Sequence, residues 1–114
     1  MLREVPLPQH KCAYSSIKAP LRRFLTQHEV TTAYERGWAQ LKNGNLLDAA
    51  EADGISVLVT TDTNLKDQQN LASRRLAIVV LSTTSWPRIQ RSVELVVQAV
   101  DAATEGSYVE VAIP

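Results

Sequence analysis

The chain alternates between short apolar runs and segments of helical periodicity. Val57-Leu58-Val59 and Leu76–Leu81 (LAIVVL) are continuous apolar stretches of the kind that fill strands buried on both faces of a parallel sheet. Tyr108–Ile113 (YVEVAI) instead alternates, which predicts a half-buried strand with Val109, Val111 and Ile113 on one face. His28–Tyr34 (HEVTTAY) is rich in β-branched residues and predicts a short strand. A further short strand falls near Cys12–Ile17, although it lacks the Val/Ile/Leu run expected of a central strand.

Between these runs the period changes to that of a helix. Pro20 suits a first turn, and Leu21, Phe24 and Leu25 follow at i, i+3 and i+4 spacing. Leu46, Leu47, Ala49 and Ala50 form an apolar face over Asn45–Asp53, with Asn43 as N-cap and Gly54 as stop. Leu65–Ser73 is polar and amide-rich, consistent with a short flanking helix. The clearest helix is opened by Ser85 and Pro87, carries Ile89, Val93, Val96, Val97 and Val100 on one stripe, and ends at Gly106. Strands alternating with helices predict an α/β fold of three layers, with a mostly parallel sheet of about four to five strands, helices on both faces and right-handed crossovers. The whole of residues 1–114 reads as a single domain, with an irregular segment over 1–17 where Pro6 and Pro8 interrupt any pattern.

Composition narrows the partners rather than the fold. Twelve basic residues balance twelve acidic ones, so bulk charge predicts no nucleic-acid binding and such a partner needs a local patch. Arg22, Arg23, Lys42, Lys66, Arg74, Arg75, Arg88 and Arg91 lie near predicted helix ends and are the candidates for one. The lone Cys12 has no disulfide partner, and Leu76–Leu81 is too short to span a bilayer. These features, with no apolar core in MLREVPLPQHK, predict a soluble cytoplasmic protein. Trp86 is expected to pack at the start of its helix, and Trp38 to cover a core edge or to stack on a base.

Asp62 carries the most chemical interest. It follows the Ile55–Thr61 strand, and ligands of open α/β sheets collect at the carboxyl ends of strands. The plainer alternative is that it caps the helix that follows. Asp67 lies a turn further on, and Asp48, Glu51 and Asp53 belong to the preceding helix. One good magnesium ligand is present, therefore, rather than a cluster. His10 beside Cys12, and His28 at the start of a strand, lack the arrangement of an activated nucleophile.

The stretch YERGWAQLKNGNLLDAAEADGISVLVTTDTNLKDQQNLASRRLAIVVLS resembles the short bacterial PIN-like proteins related to toxin components of toxin–antitoxin systems. A helix reading NG-x-LL-x-A-A-E, a strand ending T-x-D, then NL, QQNL and R-x-[IL]-A-[IV]-V-V-L carry the likeness, from about Pro20 to Trp86. The resemblance implies a Mg2+- or Mn2+-dependent ribonuclease, a hydrolase that cuts RNA and is held in check by a small antitoxin protein. Its central acid falls on Asp62, which would be the metal ligand. Positions where the family carries further acids fall on Asn64, Asn43 and Asn45, which would position water or phosphate. Arg22, Arg74, Arg88 and Lys66 would hold RNA. No acid occupies Tyr14–Ser16, where the family's first strand ends in Asp. Two readings follow. The chain is a ribonuclease with an incomplete acidic site, or a non-catalytic PIN-like module that binds a partner protein or RNA or forms a homodimer.

Overall fold

The structure is a computed structural model that describes residues 10–15, 21–26, 28–41, 43–63, 65 and 71–114. Five strands form one sheet: β1 (Lys11–Tyr14), β2 (Glu29–Thr32), β3 (Val57–Thr60), β4 (Ala77–Leu81) and β5 (Tyr108–Val111). The order is β2-β1-β3-β4-β5 and every pairing is parallel. The expected α/β class holds, and the sheet is wholly rather than mostly parallel.

Strict alternation sorts the core into two layers. Cys12, Tyr14, Val57, Val59, Ala77, Val79 and Leu81 point to one face, where Leu21, Leu25, Ile89, Val96 and Val100 cover them. Ala13, Leu58, Ile78 and Val80 point to the other, beneath Leu46, Leu47, Ala50, Trp38 and Leu65. Because both faces are covered, β3 and β4 are buried at every position, which is why they read as apolar runs, broken only by Thr60 at the end of β3. β1 is equally central, with Cys12, Ala13 and Tyr14 all buried. Its sequence hides this because small Cys and Ala fill a crowded position where bulkier aliphatics were expected.

The helices differ in detail from the sequence pattern. α1 (Asn43–Ala52) begins at Asn43 itself rather than after it. It ends in a Schellman arrangement, in which Gly54 takes a left-handed φ of 77°. Gly54 N–H donates to the Glu51 carbonyl at 3.0 Å and Ile55 N–H to the Ala50 carbonyl at 2.9 Å. The Leu21–Phe24 segment is a single 3-10 turn, and so is Leu71–Ser73. The long helix expected after Pro87 is divided into α2 (Trp86–Arg91) and α3 (Val93–Asp101) at Ser92, whose φ of −122° leaves the helical region. Ser92 N–H still closes onto the Ile89 carbonyl at 3.0 Å, so the Ile89–Val96–Val100 stripe continues across the break. On β5 the expected single buried face is only partly realised, since Ile113 is buried and Val109 is 41% exposed. β5 is an edge strand with one neighbour, which explains the exposure.

Leu65 and Leu71, between β3 and β4, pack on the α1 face, whereas α2 and α3, which connect β4 to β5, pack on the opposite face. No helix among the described residues is long and apolar enough to cross a membrane.

Candidate functional site

In this strand order the chain leaves β1 first toward β2 and then, on the other face, toward β3. The carboxyl ends of β1 and β3 therefore frame the point where the winding reverses, the usual crevice of open α/β sheets. Ser15 follows β1, and its N–H donates to the Val59 carbonyl at 2.9 Å. The Ser15 hydroxyl donates to Thr60 Oγ1 at 3.2 Å, across the crevice. Thr60 is 1% exposed, and its hydroxyl also accepts the N–H of Asp62 at 3.3 Å. Asp62 thus emerges, half-buried, from a loop fastened to the last residue of β3.

The other expected site residues divide between the two edges of the sheet. α1 runs back from the carboxyl edge to the amino edge before entering β3, so Asn43 and exposed Asn45 begin it at the same edge as Asp62. Asn64 and Lys66 lie outside the described residues, as does Asp67. Arg22 follows β1 at the carboxyl edge and pairs there with Glu35, which follows β2. Glu35 is held below the usual carboxylate range chiefly by the Arg22 guanidinium, with the Thr32 N–H and hydroxyl assisting. Arg88, in α2, donates to the carbonyls of Ile113 (3.2 Å) and Pro114 (3.1 Å) beyond β5, again at that edge. Arg74 sits at the opposite edge, before β4, on Asp48 (2.9 Å) and Glu51 (3.4 Å) of α1.

A pocket of about 240 Å³ continues the carboxyl edge between β4 and β5, lined by Thr63, Ser82, Glu110, Val111 and their neighbours. Thr63 follows Asp62 directly and joins the pocket to the crevice. The hydroxyl of Ser82, one of the lining residues, accepts the Ile113 N–H at 2.8 Å. Sequence reasoning missed Ser15, Ser82 and Glu110. The polar member of the YVEV alternation is the one signal that singles out Glu110. Trp38 is a core residue, 9% exposed, with the Arg36 guanidinium 5.9 Å from its ring centre. Trp86 packs against Phe24 at 5.8 Å, as its place at the helix start suggested.

Magnesium takes several hard, mostly anionic oxygens in octahedral array. Among the described residues no three His, Cys, Asp or Glu side chains form a group that could hold a metal ion.

Fold and edge together define an open, doubly wound α/β domain with its crevice at the β1/β3 reversal. Comparison with known proteins yields no match, whether against family models, curated proteins or solved structures.

Proposed function

We propose that this chain is a PIN-like domain, related to the ribonuclease components of toxin–antitoxin systems, that engages RNA along its carboxyl edge with an incomplete acidic site. The observation that carries the reading is the position of Asp62 at the β1/β3 crevice, fastened through Thr60 to Ser15. Arg22 and Arg88 support it, because both lie on that edge and both are exposed enough to meet phosphates. Because most positions where the resemblance places further acids carry amides here, Asp62 is read as orienting the bound backbone rather than holding a metal-activated water. A small protein antitoxin would cover the same edge.

The experiment is binding and cleavage of a labelled structured RNA by wild type and Asp62→Ala, with Mg2+, with Mn2+ and with a chelator. The expected result is salt-sensitive binding that survives chelation, and cleavage absent or indifferent to the substitution. Metal-dependent cleavage lost in Asp62→Ala would instead establish a full nuclease, and absence of RNA binding at low salt would remove the reading altogether. A second reading, a protein-binding or dimerising module, draws on the β5 edge, where Val109 is 41% exposed. Sedimentation of the purified chain tests it, with dimers expected only if that edge pairs.

A further inference from the structure

The amino edge of the sheet carries a second polar cluster, remote from Asp62. His10 precedes β1 and His28 precedes β2, and their rings stack with centroids 5.3 Å apart and planes inclined by 16°. His28 Nδ1 accepts the backbone N–H of His10 at 2.9 Å. That nitrogen is therefore unprotonated, and the proton of the neutral ring sits on Nε2, which donates to Asp101 Oδ1 at 2.6 Å. The His28 side chain is 1% exposed. Glu29 N–H closes the same corner onto the His10 carbonyl at 3.1 Å.

No nucleophile relay results. The Ser56 hydroxyl lies 3.4 Å from His10 Nδ1, whereas the carboxylate contacts His28, so neither imidazole bridges hydroxyl and acid. The geometry instead joins three elements: His10 from β1, His28 from edge strand β2, and Asp101 from the last turn of α3. β2 pairs only with β1, and this corner ties its entry to a helix as well.

We propose that the stacked His10–His28 pair, with Asp101, is an acid-released latch that holds edge strand β2 against α3. A proton on His10 has little to meet it. Its Nε2 is buried without a hydrogen-bond partner, and its Nδ1 faces Ser56. The other ionisable neighbours are few. Cys12 comes from β1 and Asp101 from α3, while Lys11 turns its ammonium to the Asp53 carbonyl at 2.8 Å and Glu29 faces solvent. Asp53 itself pairs with Arg36 at 2.9 Å.

The direction of the response follows from His10. Burial first, and then the His28 ring, hold it below its ordinary 6.5, against a smaller upward pull from Asp101. A group held low in the closed form binds its proton more readily in the open one. The latch is therefore fully effective above the ordinary imidazole range and weakens as pH falls through it.

Hydrogen–deuterium exchange of the full chain tests this. After correction for intrinsic exchange, the β2 amides should lose protection severalfold, up to about tenfold, between pH 7.5 and 5.5, while β3 and β4 amides stay protected. The double variant His10→Phe/His28→Gln should lose that response. An unchanged β2 protection in the wild type, a loss shared equally by β3 and β4, or a response that persists in the double variant would overturn the latch. Should the double variant fail to fold, imidazole nitrogen NMR of the wild type decides. Proton uptake by His10 below its ordinary 6.5 is expected, and uptake at or above that value refutes the proposal.

Discussion

Thr60 and Ser15 share one hydrogen bond, 3.2 Å between hydroxyl oxygens, and through it the carboxyl ends of β3 and β1 are fixed relative to one another. The same Thr60 oxygen accepts the N–H of Asp62, so one buried hydroxyl both closes the crevice and aims the residue that leaves it.

Substituting Thr60→Val keeps the shape and removes the acceptor. The Asp62 N–H and the Ser15 hydroxyl are then left to find water at a site with little access to it. A loss of about 1–2 kcal/mol is expected from urea denaturation. Ser15→Ala should cost less, because Thr60 still serves Asp62. The pair also separates stability from function: Thr60→Val should weaken RNA binding by misplacing Asp62, while Ser15→Ala should leave it nearly intact.

Cys12 should be chemically silent. It is 1% exposed, and burial, with the Asp101 charge adding to it, pushes its thiol up to about 12. Thiolate is the reactive form, so at pH 8 a folded chain should show no reaction with a disulfide reagent and release one equivalent only after denaturation. Reaction of the native protein at the rate of a free thiol would contradict the placement of β1 at the centre of the sheet.

Much of this architecture is readable from the chain, and for a reason. Where a strand is buried on both faces, as β3 and β4 are, nearly every position is apolar and the run announces itself, with buried Thr60 the polar exception. β1 escapes that logic because Cys12 and Ala13 serve a central position by being small rather than by being greasy. The break at Ser92 is similarly silent, since the apolar stripe runs through it. Asp62 could be placed because strand ends are where loops begin. The partners Ser15, Ser82 and Glu110 could not, as each meets the site from a different strand and only the β2-β1-β3-β4-β5 order brings them to one edge. Charges were the least legible. Arg22, Arg74 and Arg88 look alike in sequence, yet the fold sends Arg74 to the edge away from Asp62.

Glu35 offers a way to test RNA binding by gain rather than by loss. Its carboxylate occupies the Arg22 guanidinium, and both side chains are 49% exposed. Glu35→Ala should release Arg22 to phosphate, tightening RNA binding severalfold and steepening the salt dependence by about one unit of slope. Arg22→Ala should do the reverse. Equal affinities for the wild type and both variants would mean that RNA does not approach this end of the edge.

Arg74 supplies the matched control. Its guanidinium meets Asp48 at 2.9 Å and Glu51 at 3.4 Å, but Asp48 is 70% exposed and water screens that contact. Arg74 Nε, moreover, is buried with no hydrogen-bond partner, a cost that the ion pairs must offset. Arg74→Met keeps the aliphatic stem, removes the unsatisfied nitrogen and frees two carboxylates that can turn to solvent. The net change in stability should therefore be small, within about 1 kcal/mol in either direction by thermal or urea unfolding. RNA affinity and its salt slope should not move, because Arg74 lies across the sheet from the crevice. If Arg74→Met weakens RNA binding as much as Arg22→Ala, the ligand does not follow the carboxyl edge, and the role given to Asp62 falls with it.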